Sequence, residues 1–208
     1  MKPWLFNLLA CPICKDYPLK LYIFSFESEE QGFKGYLNSY KNKDLTYRET
    51  HQIPNIIEDD EIYIKDNIIV EETTLKEYLR ELISILEECK YIIDKTTYKI
   101  SKKCFSLASE EIKDIFLDYK EDIKRKEVET LLPEIIFLNK LLIDTEIETG
   151  ILFCNKCSRW FPIIDSIPRM LPDEYRSKEK EREFLKTNRS RLGEDFFDKD
   201  LKPFSIDA

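Results

Sequence analysis

The sequence predicts an α+β protein in which both chain ends form a small β-sheet domain and the middle forms an inserted helical lobe. Two observations support this fold class. A closely spaced cysteine pair, flanked by strand-like residues, lies near each end of the chain. Between the pairs, apolar residues recur at helical spacing. The predicted limits are 1–26 plus 145–172 for the sheet domain, 27–144 for the lobe and 173–208 for a charged C-terminal extension.

Three segments near the cysteines are predicted to be strands because they are rich in β-branched and aromatic residues. They are residues 19–26, residues 148–154, which lead into the second cysteine pair, and residues 159–164, which lead out of it. Side chains alternate along a strand, so 159–164 should pack one face inward and turn the other outward. The charged stretch 174–192 is predicted to be either a solvated helix or disordered.

The lobe is predicted to contain three amphipathic helices. Its first part, after residue 27, is polar and predicted to be loop, with a short hairpin over 62–70. Thr74 and Glu77 have the spacing of a capping box at a helix start. The apolar faces consist of three sets: Leu75, Leu79, Leu82, Leu86, Cys89 and Ile93; Ile112, Ile115, Phe116, Tyr119 and Ile123; Leu131, Leu132, Ile135, Ile136, Leu138 and Leu142.

The two cysteine pairs, Cys11/Cys14 and Cys154/Cys157, each have two residues between the cysteines. This spacing suits a metal knuckle, and two facing knuckles complete a closed four-thiolate site, which is structural because it leaves no position for water. The ends of the chain must then meet in space. Zinc is the expected metal; iron fits the same geometry, and two disulfides would use the same residues.

Other candidate residues give no positive argument for an enzyme. Cys89 lies on an apolar helix face and is interpreted as a small buried hydrophobe, while Cys104 receives no role. His51, the single histidine, is predicted to be a solvated loop residue. No nucleophile has a base beside it, and only four glycines are present, which disfavours phosphate-binding loops.

The bulk composition restricts the partners. The net charge is −8, which argues against direct binding to nucleic-acid phosphates. No stretch reaches the roughly 20 apolar residues of a membrane span, and the apolar start of the chain is too short for a secretory signal. We therefore expect a cytoplasmic protein without membrane contact, where paired cysteines are more often metal ligands than disulfides.

Both cysteine segments resemble one known family in order and spacing. The first comprises Met1, Lys2, Leu5, Leu8, Leu9, Cys11, Pro12, Cys14 and Lys15, followed by Pro18, Leu19 and Leu21. The second comprises Gly150, Leu152, Cys154, Cys157, Arg159, Phe161, Pro162 and Ile163, followed by Ile167, Pro168, Met170, Leu171 and Pro172. These motifs resemble the zinc-binding methyltransferase activators of the tRNA methyltransferase 112 family, and the composition, rich in Lys, Glu and Ile, suits an archaeal member.

The resemblance implies a zinc-binding sheet domain with an inserted helical lobe and no catalytic activity of its own. Members form heterodimers with several S-adenosylmethionine-dependent methyltransferases that act on tRNA, rRNA or a translation release factor, so nucleic acid is reached only through the partner. The partners dock along the sheet. Two positions depart from the family, because Ser158 and Ser166 replace glycines that allow positive backbone angles.

Two rival functions remain at this stage: a zinc-ribbon module that binds nucleic acid directly, and a rubredoxin-like electron carrier. For the leading function, an apolar set near the second knuckle is predicted to dock the methyltransferase. It consists of Leu5, Leu8, Ile167, Met170 and Leu171. The alternative is that the charged tail folds back and covers the apolar residues of this region.

Overall fold

The computed structural model describes residues 1–58, 60–121 and 128–206. The chain forms two compact units, and helices and strands occur in both, which confirms the α+β class. The sheet unit comprises Met1–Glu27, Tyr91–Thr97 and the chain from Glu146 onward. The lobe unit comprises Ser28–Lys90 and Tyr98–Thr145. The sequence placed residues 91–97 in the lobe and residues 173–208 in a separate extension. In the structure, residues 91–97 and the charged tail belong to the sheet unit.

The described residues form strands and helices in the following order. The strands are β1 (Lys20–Phe26), β2 (Asn55–Glu58), β3 (Ile62–Lys65), β4 (Thr73–Thr74), β5 (Ile92–Asp94), β6 (Ile147–Phe153), β7 (Trp160–Ile164) and β8 (Ile167–Pro168). The helices are α1 (Glu30–Lys41), α2 (Thr46–His51), α3 (Leu75–Glu88), α4 (Lys99–Leu107), α5 (Lys113–Glu121), α6 (Leu132–Asn139), α7 (Lys178–Thr187) and α8 (Glu194–Phe197). Single 3-10 turns include Pro3–Leu8 and Asp173–Tyr175, and π-helical turns at Ala108–Ile112 and Lys140–Asp144 follow α4 and α6.

The sheet unit is built on five strands in the order β5-β1-β6-β7-β8. β1 pairs in parallel with β5, and the other pairs are antiparallel. Gly150 in β6 is required by close packing, because a Cβ there would lie 2.5 Å from the carbonyl oxygen of Tyr22 in β1. The chain ends are joined directly as well, since the Met1 amino group donates to the Ile147 carbonyl oxygen at 2.7 Å.

The charged tail is a second layer of the sheet unit. A helix does form within 174–192, as α7, but its buried residues pack on the sheet, so the tail folds back as the alternative expectation proposed. Its apolar residues pack on one face of the sheet. The resulting cluster comprises Tyr22, Phe24, Ile151, Phe153 and Trp160 from the strands, with Leu185, Leu192, Phe196, Leu201 and Ile206 from the tail. Consequently the expectation of an outward face on β7 is wrong: Trp160, Phe161 and Ile163 are all fully buried.

The lobe unit contains the predicted capping box and most of the predicted helix faces, but Ile115 of the second face is 37% exposed. Thr74 accepts a hydrogen bond from the Glu77 backbone N–H, and α3 begins at the next residue, Leu75. The side chains of Leu79, Leu82 and Leu86 along α3 are fully buried. Pro133 stands in the first turn of α6, where its missing N–H costs no helical hydrogen bond.

Three expectations for the middle of the chain differ from the structure. The polar stretch after residue 27 is not loop, since it contains α1, α2 and the hairpin β2–β3. That hairpin, with β4, also replaces the one expected over 62–70. Ile93 follows the spacing of α3 but lies in β5, because α3 ends at Glu88. The expected helix position of Ile123 lies outside the described residues.

In the described part of the chain, none of the helices has the length and apolar character needed to cross a membrane.

Candidate metal centre

The first knuckle is a tight turn that follows the N-terminal 3-10 helix. The Cys11 backbone N–H donates to the Asp16 carbonyl oxygen at 3.0 Å, and the Lys15 N–H donates to the Cys11 carbonyl oxygen at 2.9 Å. Lys15 has a positive φ of 60°. The left-handed residue reverses the chain directly after Cys14, so both sulfurs are presented on one side of the turn.

The second knuckle repeats this pattern at the end of β6. The Cys154 N–H donates to the Arg159 carbonyl oxygen at 2.8 Å, and Ser158, directly after Cys157, has a φ of 57°. Ser166, in the turn between β7 and β8, has a φ of 61°. The two serines therefore adopt the backbone conformation for which the related family uses glycine, and the turns are formed despite the substitution.

Strand pairing brings the two knuckles together. Lys20 of β1 lies opposite Phe153 of β6. The loop before β1 and the loop after β6 consequently meet at the same end of the sheet. The insertion of the whole lobe between the cysteine pairs is thus compatible with one compact site.

The four cysteine sulfurs fit a tetrahedral metal site. All four lie within 4.8 Å of one another. Two of these distances join opposite knuckles, at 3.6 Å between Cys11 and Cys157 and 3.5 Å between Cys14 and Cys154. With a Zn–S bond of about 2.3 Å, the edge of a regular tetrahedron is about 3.8 Å. The cluster can therefore hold one metal ion and is consistent with zinc.

The surroundings shift the pKa values of three of the clustered thiols. Burial raises the pKa of Cys11 and of Cys154, so these sulfurs do not ionise readily on their own. Burial would likewise raise the pKa of Cys157, but hydrogen bonds from the backbone and side chain of Arg159 lower this pKa to about 7. A divalent ion among the sulfurs would stabilise all four as thiolates, and the closed set of four protein ligands makes the site structural.

The remaining candidate residues lie outside this cluster. Cys89 and Cys104 are buried in the lobe unit, where burial raises the pKa of each thiol to about 12. They behave as small buried side chains, as the sequence indicated for Cys89. His51 is exposed and stacks on Tyr47 with ring centroids 4.0 Å apart.

The predicted docking residues differ in their exposure. Leu8, Ile167 and Leu171 are exposed by 67%, 60% and 46%, whereas Leu5 and Met170 are half-buried. Ile167 belongs to β8, the edge strand of the five-stranded sheet. Their role in docking remains a prediction.

Sequence reasoning offered a tail that folds back as an alternative but did not foresee its contact with the second knuckle. Asp173, the first residue of the tail, forms a two-pronged ion pair with Arg159 of the second knuckle. The ion pair has no local sequence signal. The apolar residues scattered among the charges between 184 and 201 were the signal that the tail is buried.

Comparison with known proteins places this arrangement in a family. The family model described as Trm112p-like protein matches residues 2–166, which include all four clustered cysteines and end just before β8. Neither a curated protein nor a solved structure matches the chain significantly. Since the family model covers well over half of the sequence, the chain belongs to the Trm112p-like family, whose members are in general methyltransferase-activating subunits.

Proposed function

We propose that this chain is a non-catalytic, zinc-binding subunit that binds, stabilises and activates S-adenosylmethionine-dependent methyltransferases in the cytoplasm. The substrates of the partners are tRNA, rRNA or a translation release factor, and several partners compete for the subunit. The observation that carries the proposal is the family match over residues 2–166 together with the four converging sulfurs. One structural zinc per chain holds the two ends of the sheet unit together.

The docking surface belongs to the sheet unit. The edge strand β8 offers unpaired backbone groups on its outer side, and Ile167 and Leu171 present apolar side chains beside it. A partner strand can add to such an edge while its side chains cover the apolar residues. Leu8, exposed on the N-terminal 3-10 helix, extends the apolar surface of the same unit, and Leu5 and Met170 support it.

The proposed docking surface is tested with the double variant Ile167→Asp, Leu171→Asp. Burial of one such side chain contributes roughly 1.5–3 kcal/mol, so two charged replacements should abolish co-purification of methyltransferases from native extract. Mass spectrometry identifies the bound proteins, and elemental analysis should still find one zinc per chain.

Val70→Asp is the matched control, because Val70 is 72% exposed but belongs to the lobe unit. It should retain the partners. Loss of the partners in the Val70 variant, with retention in the double variant, would place docking on the lobe.

Calorimetry separates a subunit from an enzyme. The chain has only four glycines and no Gly-rich loop following a strand, so the isolated protein should not bind S-adenosylmethionine. Micromolar binding would contradict the proposal. A salt-dependent mobility shift with RNA would instead favour the nucleic-acid module, and a red colour with a reversible one-electron couple would favour the electron carrier.

A further inference from the structure

The C-terminal segment from Asp173 to Ile206 covers the apolar face of the sheet and is attached to the second metal knuckle. We call this segment the cover. It lies beyond the part of the chain that the family model matches, which ends at residue 166. Five apolar side chains of the cover are buried against the sheet. The question that the structure raises is what holds these residues in place.

The first attachment joins Asp173 to the side chain of Arg159. The Arg159 Nε and Nη2 atoms donate to Asp173 Oδ2 at 3.0 and 2.8 Å, and Nε also lies 3.2 Å from Oδ1. Arg159 is the residue whose carbonyl oxygen closes the turn from Cys154. Arg159 stands two residues after Cys157, so the turn of the knuckle sets the position from which its side chain extends.

The second attachment uses the backbone on both sides of Arg159. The Lys202 N–H donates to the Ser158 carbonyl oxygen at 3.0 Å, and the Trp160 N–H donates to the Lys202 carbonyl oxygen at 3.3 Å. The Trp160 indole N–H donates further along the cover, to the Phe204 carbonyl oxygen at 3.0 Å. Three successive residues of the knuckle exit are therefore bound by the two ends of the cover.

The third attachment is made by a buried arginine of the cover, Arg176. The Arg176 side chain donates to both carboxylate oxygens of Glu181, at 2.9 and 2.5 Å, and to the Trp160 carbonyl oxygen at 2.6 Å. Its guanidinium carbon lies 5.3 Å from the centre of the Trp160 ring and 5.1 Å from that of Phe161. A charged side chain that is buried in this way is stable only while its partners stay in place.

We propose that residues 173–206 form a metal-dependent cover, in which the metal-filled second knuckle holds the groups that the cover binds and the cover in return strengthens metal binding. The metal fixes the turn between Cys154 and Arg159. The turn then positions the Arg159 guanidinium to bind Asp173. It also positions the backbone groups of Ser158 and Trp160 to bind Lys202. Because coupling between two sites is reciprocal, a closed cover must stabilise the bound metal by the same factor.

Loosening of the cover would uncover an apolar face of the sheet. The face carries four aromatic side chains: Tyr22, Phe24, Phe153 and Trp160. An exposed apolar face of this kind promotes association with other proteins. The inference rests on the zinc of the proposed function but not on a methyltransferase partner, so it can fail while partner binding is retained.

The test weakens the first attachment without touching a metal ligand. In the full-length zinc-loaded protein, Asp173→Asn removes the charge that binds Arg159. In equilibrium competition with a chromogenic chelator, the zinc affinity should fall by at least about fivefold, the lower end of typical coupling between sites. Hydrogen–deuterium exchange in residues 184–206 should also rise, while α3 in the lobe unit stays protected.

Two further variants keep the test decisive. Asp198→Asn removes the same charge from an exposed position of the cover and should leave both the zinc affinity and the exchange of residues 184–206 unchanged. Asp173→Glu keeps the charge and should give an intermediate zinc affinity. It supplies the result if Asp173→Asn does not fold. The proposal is overturned if the Asp173 variants bind zinc as tightly as the wild type.

Discussion

The sheet unit and the lobe unit are stabilised in different ways. The sheet unit is assembled from three separate stretches of chain, and a cluster of four thiols and a covering tail supplement its five strands. The lobe unit is made of amphipathic helices with an apolar core, around a buried Asp66 that accepts hydrogen bonds from Tyr78, Asn139 and two backbone N–H groups. The sheet unit therefore brings together four thiols that can hold a metal cross-link, whereas the lobe unit depends on ordinary packing.

The two units can be followed separately in one sample. Both tryptophans, Trp4 and Trp160, belong to the sheet unit, so their fluorescence reports on that unit alone. Six of the eight helices in the described residues belong to the lobe unit, so far-ultraviolet circular dichroism reports mainly on the lobe.

Metal removal should produce the largest difference between the units. A structural zinc contributes about 10–16 kcal/mol of apparent folding free energy in small sites. Cys154→Ser, or complete chelation, should therefore unfold the sheet unit as seen by tryptophan fluorescence while most of the helical signal persists. Cys89→Ala is the control, because Cys89 is buried outside the metal cluster. Full thermal stability of the sheet unit after chelation would contradict the metal assignment.

Shortening one buried side chain of the cover should have the next largest effect on the free energy of unfolding, and this effect should be confined to the sheet unit. Phe196 is 1% exposed and its ring centre lies 5.4 Å from that of Tyr22 and 5.5 Å from that of Phe153. Phe196→Ala should lower the free energy of unfolding by about 3–5 kcal/mol in urea titrations followed by fluorescence. Tyr175→Ala, at a position that is 72% exposed, should change the free energy by less than about 0.5 kcal/mol. Equal effects of the two substitutions would mean that the tail is a solvated extension.

Acidification should affect the two units in opposite directions. Protons compete with the metal for the thiolates, so urea titrations should show the sheet unit weakening as the pH falls below about 7. In the lobe unit, burial raises the pKa of Asp66 and of Glu134. Their folded forms bind protons more tightly than the unfolded chain, so the contribution of these groups is fully present at low pH and is lost as pH rises through the folded pKa.

Asp66→Asn provides the control for the lobe, because it removes one titrating group and should flatten the pH dependence of the circular dichroism transition. If the lobe unit also loses stability in acid, as the sheet unit does, the predicted opposite pH dependence is wrong.

The smallest expected effect concerns the backbone of the second knuckle. A residue other than glycine in the left-handed region costs roughly 1–2 kcal/mol. Replacing it with glycine removes this strain, but part of the gain is cancelled because glycine loses more conformational freedom on folding. Ser158→Gly should therefore stabilise the sheet unit by about 0.5–1 kcal/mol in the fluorescence transition, and Ser158→Ala should not. A destabilised glycine variant would mean that the Ser158 side chain contributes an interaction of its own.

The sequence by itself determined the features that depend on local spacing. The ligands Cys11, Cys14, Cys154 and Cys157 follow from knuckle geometry, the strands β1, β6 and β7 from their composition, and the start of α3 from the capping pair at Thr74 and Glu77. In each case the physical cause operates within a few residues, so the pattern is visible in the chain. The requirement that the two ends meet also followed, because four thiolates can share one metal only if they converge.

Only the tertiary structure decided which surfaces are covered and what the knuckles contact. Ile93 fits the spacing of α3 but pairs with β1, because the sheet offered its backbone a strand partner at that point. Trp160 alternates like a half-exposed strand residue but is buried, because a tail about 25 residues further along the sequence packs on it. The Arg159–Asp173 ion pair likewise joins positions that no local rule connects. Burial and long-range pairing are properties of the folded chain as a whole, since the free energy of covering an apolar face does not depend on which segment covers it.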